Sequence, residues 1–434
     1  MRFEVNPSAL AGGSVRIPGD KSISHRALLF GALADGISNV TGFLPGEDCL
    51  STLAALRAMG VNIERVNDTA VVVHGVGLHG LEAPEKPLDL GNSGTAMRLF
   101  SGLLAGQSFS TELIGDESLS KRPMARVIDP LQQMGAKISS REGCPPLHVT
   151  GGRDLHGIDY ALPVASAQVK SALLLAGLYA KGPTVVREPA VTRDHSERMF
   201  KAMGARVTTE GGTIRLDSGT SLKGIQLKIP ADLSSATFPL LAILLSENAS
   251  VELTDVGINP TRDGVLRILR TMGAQIQMVD QRMHGAEPVA TLQARASHLQ
   301  AINVDPALVP LAIDEFPALF IAAACATGTT EFRGLAELRV KESDRIAAMA
   351  EGLQALGIKV EELPDGARVT GGTFRPGTVD SHGDHRIAMA FAVAATIAEG
   401  PVTINNVASV VTSFPGFENC LRELGADIHC KHEV

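Results

Sequence analysis

The chain is poor in cysteine, and no two of its five cysteines (Cys49, Cys144, Cys325, Cys420, Cys430) form a C-x-x-C pair. Structural zinc sites and disulfide frameworks need closer or denser sets, so no metal and no cross-linked scaffold is expected. His429, Cys430 and His432 cluster near the C-terminal end and read as a solvated tail rather than a metal site. A basic surplus is also missing: 39 Lys and Arg against 47 Asp and Glu give a net charge of -8. General binding to nucleic acid needs a basic face, so that partner class is excluded, although a local basic pocket is not. Long apolar runs are absent as well. Leu240 to Leu245, Ala318 to Ala326 and Ala388 to Ala398 are too short to span a bilayer and read as buried helices. The start, MRFEVNPSAL, has no apolar core behind a basic stretch, so a cytoplasmic protein without a membrane partner is expected. What remains is 434 residues, 44% hydrophobic and 20% charged, enough for two or three domains with large cores.

The sequence repeats itself. An apolar helix, a Met or Leu, a glycine and a strand recur in ALRAMGVNI, PLQQMGAKI, MFKAMGARV, ILRTMGAQI, GLQALGIKV and CLRELGADI. The glycines, Gly60, Gly135, Gly204, Gly273, Gly357 and Gly425, are 75, 69, 69, 84 and 68 residues apart. Helical spacing before each, as in Leu53, Leu56 and Met59, makes the glycine a left-handed C-cap. A second helix precedes each copy, apolar nearly all round (VKSALLLAGLYAKG, HRIAMAFAVAATIAEG), and reads as core. Turns at Asn67-Asp68 and Pro364-Asp365-Gly366 mark hairpins. The expected fold is α/β, in two similar domains of three repeats each. Breaks near Gly19 and Pro230 give one domain of residues 20–229 and a discontinuous one of residues 1–19 plus 230–434.

Chemistry-bearing residues collect just before the helices, where unpaired N–H groups and the positive dipole end attract anions. GDKSISHR, GNSGT, KRPM, SAQVK, RDHSE, DLSS, NPTR, DEF, RVKESDR, DHR and TSFPGF stand at such places. Each also has a plain reading: Ser, Thr, Asn and Asp there serve as N-caps, and RVKESDR, with Lys341 and Arg345 at i,i+4 and Glu342 and Arg345 at i,i+3, fits a solvated salt-bridged face. Arginine at a helix start runs against the dipole and is harder to explain structurally. Lys21, Arg26, Arg122, Arg193, Lys341, Arg345 and Arg386 all lie at these starts in an acidic chain. If they converge they suit two ligands that each carry a phosphate and a carboxylate, about -5 to -6 in all.

Taken together, and over nearly the whole chain, GDKSI, SAQVK, RDHSE and NPTR resemble 3-phosphoshikimate 1-carboxyvinyltransferases, also called 5-enolpyruvylshikimate-3-phosphate synthases, of the second class associated with glyphosate tolerance. The resemblance implies two domains of three βαβαββ units, an inside-out α/β barrel arrangement, with the active site in the cleft between them. The implied reaction moves the enolpyruvyl group of phosphoenolpyruvate to the 5-hydroxyl of shikimate 3-phosphate, in the pathway to chorismate and aromatic amino acids. No cofactor is implied, and a monomer is expected. Shikimate 3-phosphate would be held by Lys21, Ser22 and Arg26 of GDKSISHR, Ser166, Ala167 and Gln168 of SAQVK, Arg193, Asp314 and Lys341. Phosphoenolpyruvate would meet Lys21, Gln168, Arg122, Arg345, Arg386 and the backbone near Gly94. His385 would join them as a proton relay or phosphate donor, its alternative being a satisfied histidine at a helix start.

The implied chemistry delivers a proton to the methylene carbon while a base takes one from the attacking hydroxyl, and later removes a proton as phosphate leaves. Lys21, Asp314 and Glu342 are the implied catalytic groups, Asp314 as the base for the hydroxyl and Glu342 at the methylene carbon. The chain departs from first-class members at Thr412 (for lysine), Glu337 (for asparagine), Arg193 (for serine) and Leu99 (for proline). Gly94 is retained and leaves space beside the phosphoenolpyruvate pocket. A neighbouring reading, UDP-N-acetylglucosamine carboxyvinyltransferase, would place a cysteine in GDESLSKRPM, which has none. A noncatalytic binder of phosphorylated ligands would lack Asp314 or Glu342, and both are present.

Overall fold

The computed structural model describes residues 1–432 and is an α/β fold. Its repeat follows from the glycines. Gly60, Gly135, Gly204, Gly273, Gly357 and Gly425 have φ of 86, 101, 92, 96, 86 and 101°, a left-handed conformation in which a Cβ is strained. Around each, the next residue's N–H donates to a carbonyl five residues back: Val61 to Leu56 at 3.1 Å, Ala136 to Leu131 at 3.0 Å, Ala205 to Phe200 at 2.8 Å, and likewise Ala274, Ile358 and Ala426. This double turn satisfies the last helical carbonyls and sends the chain straight into a strand.

The chain divides into two compact units. An insert unit comprises Gly19–Ile229 with Met283–Glu287; a terminal unit comprises Met1–Pro18, Pro230–Arg282 and the residues from Pro288 on. The insert unit contains α1 (Lys21–Ala32), α2 (Glu47–Ala58), α3 (Gly94–Ala105), α4 (Ala125–Gln133), α5 (Ala167–Gly177) and α6 (His195–Ala202). Among the described residues it forms three sheets of one design, with a parallel pair of strands followed by an antiparallel hairpin. In one, Leu88–Asp89 runs parallel to Thr111–Ile114, which pairs antiparallel with Cys144–Thr150 and so with Lys137–Arg141. Asp159–Ala161, Thr184–Arg187, Thr213–Leu216 and Val207–Glu210 repeat that order. In the remaining sheet, Ala34–Thr41 takes its parallel partners, Leu222–Lys223 and Gln226–Lys228, from the far end of the unit. The helices pack on each other behind the sheets. A Cβ on Gly102 of α3 would lie 2.1 Å from the Ala172 carbonyl oxygen of α5, so only glycine permits this approach.

The terminal unit contains α7 (Leu233–Leu244), α8 (Gly264–Thr271), the four-residue α9 (Val309–Ala312), α10 (Phe316–Cys325), α11 (Arg345–Ala355), α12 (His385–Ala395) and α13 (Phe417–Glu423). The apolar helices expected from the sequence are α7 and α12, buried along their whole length, and α10, buried at Phe316–Ala324. Burying each Leu or Phe there contributes roughly 1.5–3 kcal/mol. Among the described residues no helix is long and apolar enough to cross a membrane. The sheet of the last repeat borrows a strand: Arg2–Asn6 sits between Val402–Asn405 and Asp427–Lys431, antiparallel to both. This corrects the reading of the C-terminal end as a solvated tail. His429 and Cys430 lie in a strand, opposite Glu4 and Phe3.

Candidate active site

In the insert unit the first turns of α1, α3 and α5 carry the implicated residues. Asp20 caps α1, its carboxylate accepting from the Ile23 N–H at 2.8 Å, which leaves Lys21 as the first helical residue. Lys21 Nζ pairs with Asp48 Oδ2 of α2 at 2.8 Å. Arg26, one turn on, is 2% exposed. Its Nε donates to Ser196 Oγ and Nη2 to Ser171 Oγ, both at 2.8 Å, and Nη1 to the Ser22 carbonyl at 2.9 Å. All three acceptors are neutral. Burial first, with Arg193 adding to it, lowers this guanidinium's pKa to about 10 against the pull of Glu197, Asp20 and Glu287. Two arginines near enough to oppose one another, one of them in a neutral cage, make a place for an anion.

His25 ties α1 to its neighbours, with Nδ1 2.8 Å from Thr52 Oγ1 and Nε2 3.5 Å from Ser93 Oγ. Burial, then Lys21 and Arg26, push its pKa down to about 3, so it is neutral. Ser93 caps α3, accepting from the Ala96 N–H at 3.1 Å, and Gly94 follows. A Cβ on Gly94 would lie 2.8 Å from Arg98 Nη1 and 3.1 Å from Arg122 Nη1, so the glycine makes room for two guanidinium tips. Arg98 Nη1 donates to Gln168 Oε1 at 2.7 Å, and Gln168 Nε2 to Thr95 Oγ1 at 2.9 Å. Ser166 caps α5 by accepting from the Val169 N–H at 3.4 Å, and Ala167 opens the helix. Arg122 lies before α4 rather than at its first residue; its Nη2 donates to Asn92 Oδ1 at 2.7 Å and Ser118 Oγ at 3.3 Å.

In the terminal unit the organising group is Arg345, the first residue of α11 and 1% exposed. Its Nε donates to Asp384 Oδ2 at 2.7 Å, Nη2 to Glu342 Oε2 at 2.6 Å and Asp384 Oδ1 at 3.4 Å, and Nη1 to Asp314 Oδ1 at 3.3 Å. Lys341 Nζ lies 3.4 Å from the same Asp314 oxygen. Burial alone would lower the Arg345 pKa, but Asp384, Glu342 and Asp314 together outweigh it and raise it above the usual arginine value. RVKESDR is therefore not a solvated face. Asp384, fully buried, also caps α12 by accepting from the Arg386 N–H at 2.9 Å, which fixes His385 and Arg386 at the helix start. The arrangement holds three carboxylates on one buried cation, with Lys341 beside Asp314. Such a set can move protons beside an anionic ligand.

The nine residues implicated in the insert unit (Lys21, Ser22, Arg26, Gly94, Arg122, Ser166, Ala167, Gln168, Arg193) thus cluster at helix starts. So do the six of the terminal unit (Asp314, Lys341, Glu342, Arg345, His385, Arg386). Sequence reasoning missed their partners. Asp48 and Ser171 lie outside the named motifs, and Ser196 of RDHSE and Asp384 of DHR lie far along the chain from the arginines they hold, so no local pattern announces these pairings. Arg98 was within reach, four residues after Gly94 on one helix face. Thr412 spends its hydroxyl on the Ser409 carbonyl at 2.7 Å, closing its own turn. Cys144, distant in sequence from KRPM, brings its Sγ to 3.7 Å from the Lys121 carbonyl.

Comparison with known proteins shows the family. The family model described as EPSP synthase (3-phosphoshikimate 1-carboxyvinyltransferase) matches residues 5–421. A curated 3-phosphoshikimate 1-carboxyvinyltransferase from Methylococcus capsulatus is 56% identical over 98% of both chains. One from Alkalilimnicola ehrlichii is 58% identical over 98% of this chain and 96% of its own. Among solved structures, EPSP synthase from Acinetobacter baumannii superposes with a TM-score of 0.88 at 49% identity, covering 99% of this chain and all (100%) of that one. The enolpyruvyl transferase NikO from Streptomyces tendae, at 18% identity and a TM-score of 0.81 over 99% and 98% of the two chains, shares the fold. On these grounds the chain belongs to the EPSP synthase family of 3-phosphoshikimate 1-carboxyvinyltransferases.

Proposed function

We propose that the residues above carry the family's reaction, transfer of the enolpyruvyl group of phosphoenolpyruvate to the 5-hydroxyl of shikimate 3-phosphate with release of phosphate. The observation that carries this reading is Arg345, which holds the expected base, Asp314, and the expected acid, Glu342, on one guanidinium. Lys21, Ser22, Arg26, Ser166, Ala167, Gln168, Arg193, Asp314 and Lys341 take shikimate 3-phosphate. Lys21, Gly94, Arg122, Gln168, Arg345, His385 and Arg386 take phosphoenolpyruvate. Arginine suits both anions because its planar fork meets phosphate or carboxylate with two parallel bonds.

Asp314 accepts the proton of the 5-hydroxyl as that oxygen bonds to C2 of phosphoenolpyruvate, while Glu342, with Lys21 near the reacting groups, delivers a proton to C3. C2 then carries four single bonds. A proton next leaves the new methyl group and the C2–O bond to phosphate breaks, restoring the double bond and releasing inorganic phosphate. Acid and base exchange roles between the two stages. The steps are proton transfers and C–O exchange, so the reading invokes no cofactor. It needs the residues of both units to engage one pair of substrates, and it takes the chain as a cytoplasmic monomer acting on small molecules.

The test is a phosphate-release assay with phosphoenolpyruvate and either shikimate 3-phosphate or UDP-N-acetylglucosamine. Release with the first acceptor alone is expected. Release with the second alone would assign the chain to the neighbouring reaction, and release with neither would make it a binding protein.

A further inference from the structure

SAQVK supplies three residues to the substrate reading and leaves its lysine over. Lys170 is 1% exposed, one turn after Ser166 in α5. Its Nζ lies 3.0 Å from Glu188 Oε2, 2.7 Å from Glu197 Oε1 and 3.4 Å from the Thr192 carbonyl oxygen. Two of its three N–H donors are used in hydrogen bonds, to Glu188 and to the Thr192 carbonyl. The Glu197 contact is one of charge, since neither of its oxygens receives an aligned hydrogen bond from the described residues. Glu188 Oε1 in turn accepts the Thr192 hydroxyl. Burial pushes the Glu188 carboxyl up, with Lys170 pulling the other way, so the lysine is what keeps this carboxylate in place.

The segment so held connects the strand Thr184–Arg187 to α6. Pro189, Ala190 and Val191 are exposed, Val191 by 50%, whereas Thr192 is 5% exposed. The run is therefore anchored at Thr192, and the next residue is Arg193, which lies near enough to Arg26 to oppose its charge. A buried ion cluster is a poor way to add stability, because apolar side chains of equal volume do as well or better. It does fix geometry. We propose that Lys170, with Glu188 and Glu197, is a positioning residue that locks Thr192 and so presents Arg193 beside Arg26 to the phosphate of shikimate 3-phosphate. This rests on the reading that Arg193 meets that substrate.

Lys170→Met leaves two buried carboxylates unpaired and invites unfolding, so the informative variants are Glu188→Gln and Thr192→Val. Each should raise the dissociation constant and KM for shikimate 3-phosphate by about 10-fold, as a displaced positioning group does, with kcat and the phosphoenolpyruvate KM within about 2-fold of the parent. Arg193→Ala should weaken the same substrate, and adding Thr192→Val to it should cost nothing more, because the threonine acts through the arginine. Unchanged shikimate 3-phosphate affinity in both single variants, equal losses for both substrates, or full additivity with Arg193→Ala would overturn the proposal. If Arg193→Ala itself binds shikimate 3-phosphate like the parent, the site reading fails and takes the inference with it. If only the double-variant result fails, the site reading stands without the inference.

Discussion

Arg26 and Arg345 are the same side chain at nearly the same burial, 2% and 1% exposed, yet their acidities move in opposite directions. Arg26 is surrounded by two serine hydroxyls and a carbonyl, and burial lowers its pKa to about 10. Arg345 faces Asp384, Glu342 and Asp314, which more than offset the same burial. The fold has thus given one arginine only neutral hydrogen-bond acceptors, with carboxylates no nearer than through space, and the other three carboxylates in direct contact. The first suits a phosphate-bearing ligand, and the second suits the fixing of carboxylates that must handle protons.

The sharpest way to break this contrast is to remove each cation. Arg345→Met should destabilise the protein by about 3–5 kcal/mol in urea unfolding, since it strands the buried Asp384 and its two companions. Arg26→Met should cost less, about 1–2 kcal/mol, because its hydrogen bonds end on neutral oxygens and Glu197, Asp20 and Glu287 attract it without hydrogen-bonding to it, while the shikimate 3-phosphate KM rises about 100-fold. Equal destabilisation in both would show that the two surroundings are not different in kind. Next in size, Asp314→Asn should lower kcat by about 100-fold or more with the shikimate 3-phosphate KM within a few-fold, as expected of a proton-transfer group; unchanged turnover removes Asp314 from the mechanism.

Smaller again is Gly94→Ala, whose methyl would sit 2.8 Å from Arg98 Nη1 and 3.1 Å from Arg122 Nη1. Both tips belong to flexible side chains, so folding should be retained while the phosphoenolpyruvate KM rises about 10-fold and that of shikimate 3-phosphate stays put. Equal rises in both would detach the Gly94 and Arg122 pair from phosphoenolpyruvate. The least dramatic effect concerns His25. Its pKa is about 3 in the fold against an ordinary value near 6.5, so between those pH values the unfolded chain binds a proton that the folded one does not. Stability from this group is therefore complete above pH 6.5 and declines as pH falls toward 3. His25→Asn should flatten that part of the stability profile, by up to a few kcal/mol at its acid end. An unchanged slope would assign the acid sensitivity to other groups.

The repeat was legible in the sequence because it is written locally. A glycine at a left-handed C-cap and a 3.6-residue apolar period each involve only neighbours, and all six glycines take the expected conformation. The helix-start cations were visible for the same reason. The groups that decide what each cation does were not, because Asp48 lies 27 residues from Lys21 and Asp384 lies 39 from Arg345, joined only by tertiary packing. RVKESDR shows the limit well. Its i,i+3 spacing does mark a real ion pair, Glu342 with Arg345, but only burial against Asp384 shows that the pair is interior. A strand after Gly425 is expected from the repeat, but that it runs on through His429 and Cys430 is not, since its partner is the distant Arg2–Asn6.

That borrowed strand also bears on how the chain can be made. Arg2–Asn6 is synthesised long before both of its neighbours, Val402–Asn405 and Asp427–Lys431, so the sheet of the last repeat cannot close until those two strands have emerged. The three sheets of the insert unit draw only on residues up to Lys228 and can assemble while the ribosome is still at work. Nascent chains stalled before Val402 should therefore carry a protease-resistant insert unit joined to flanks that are still being digested.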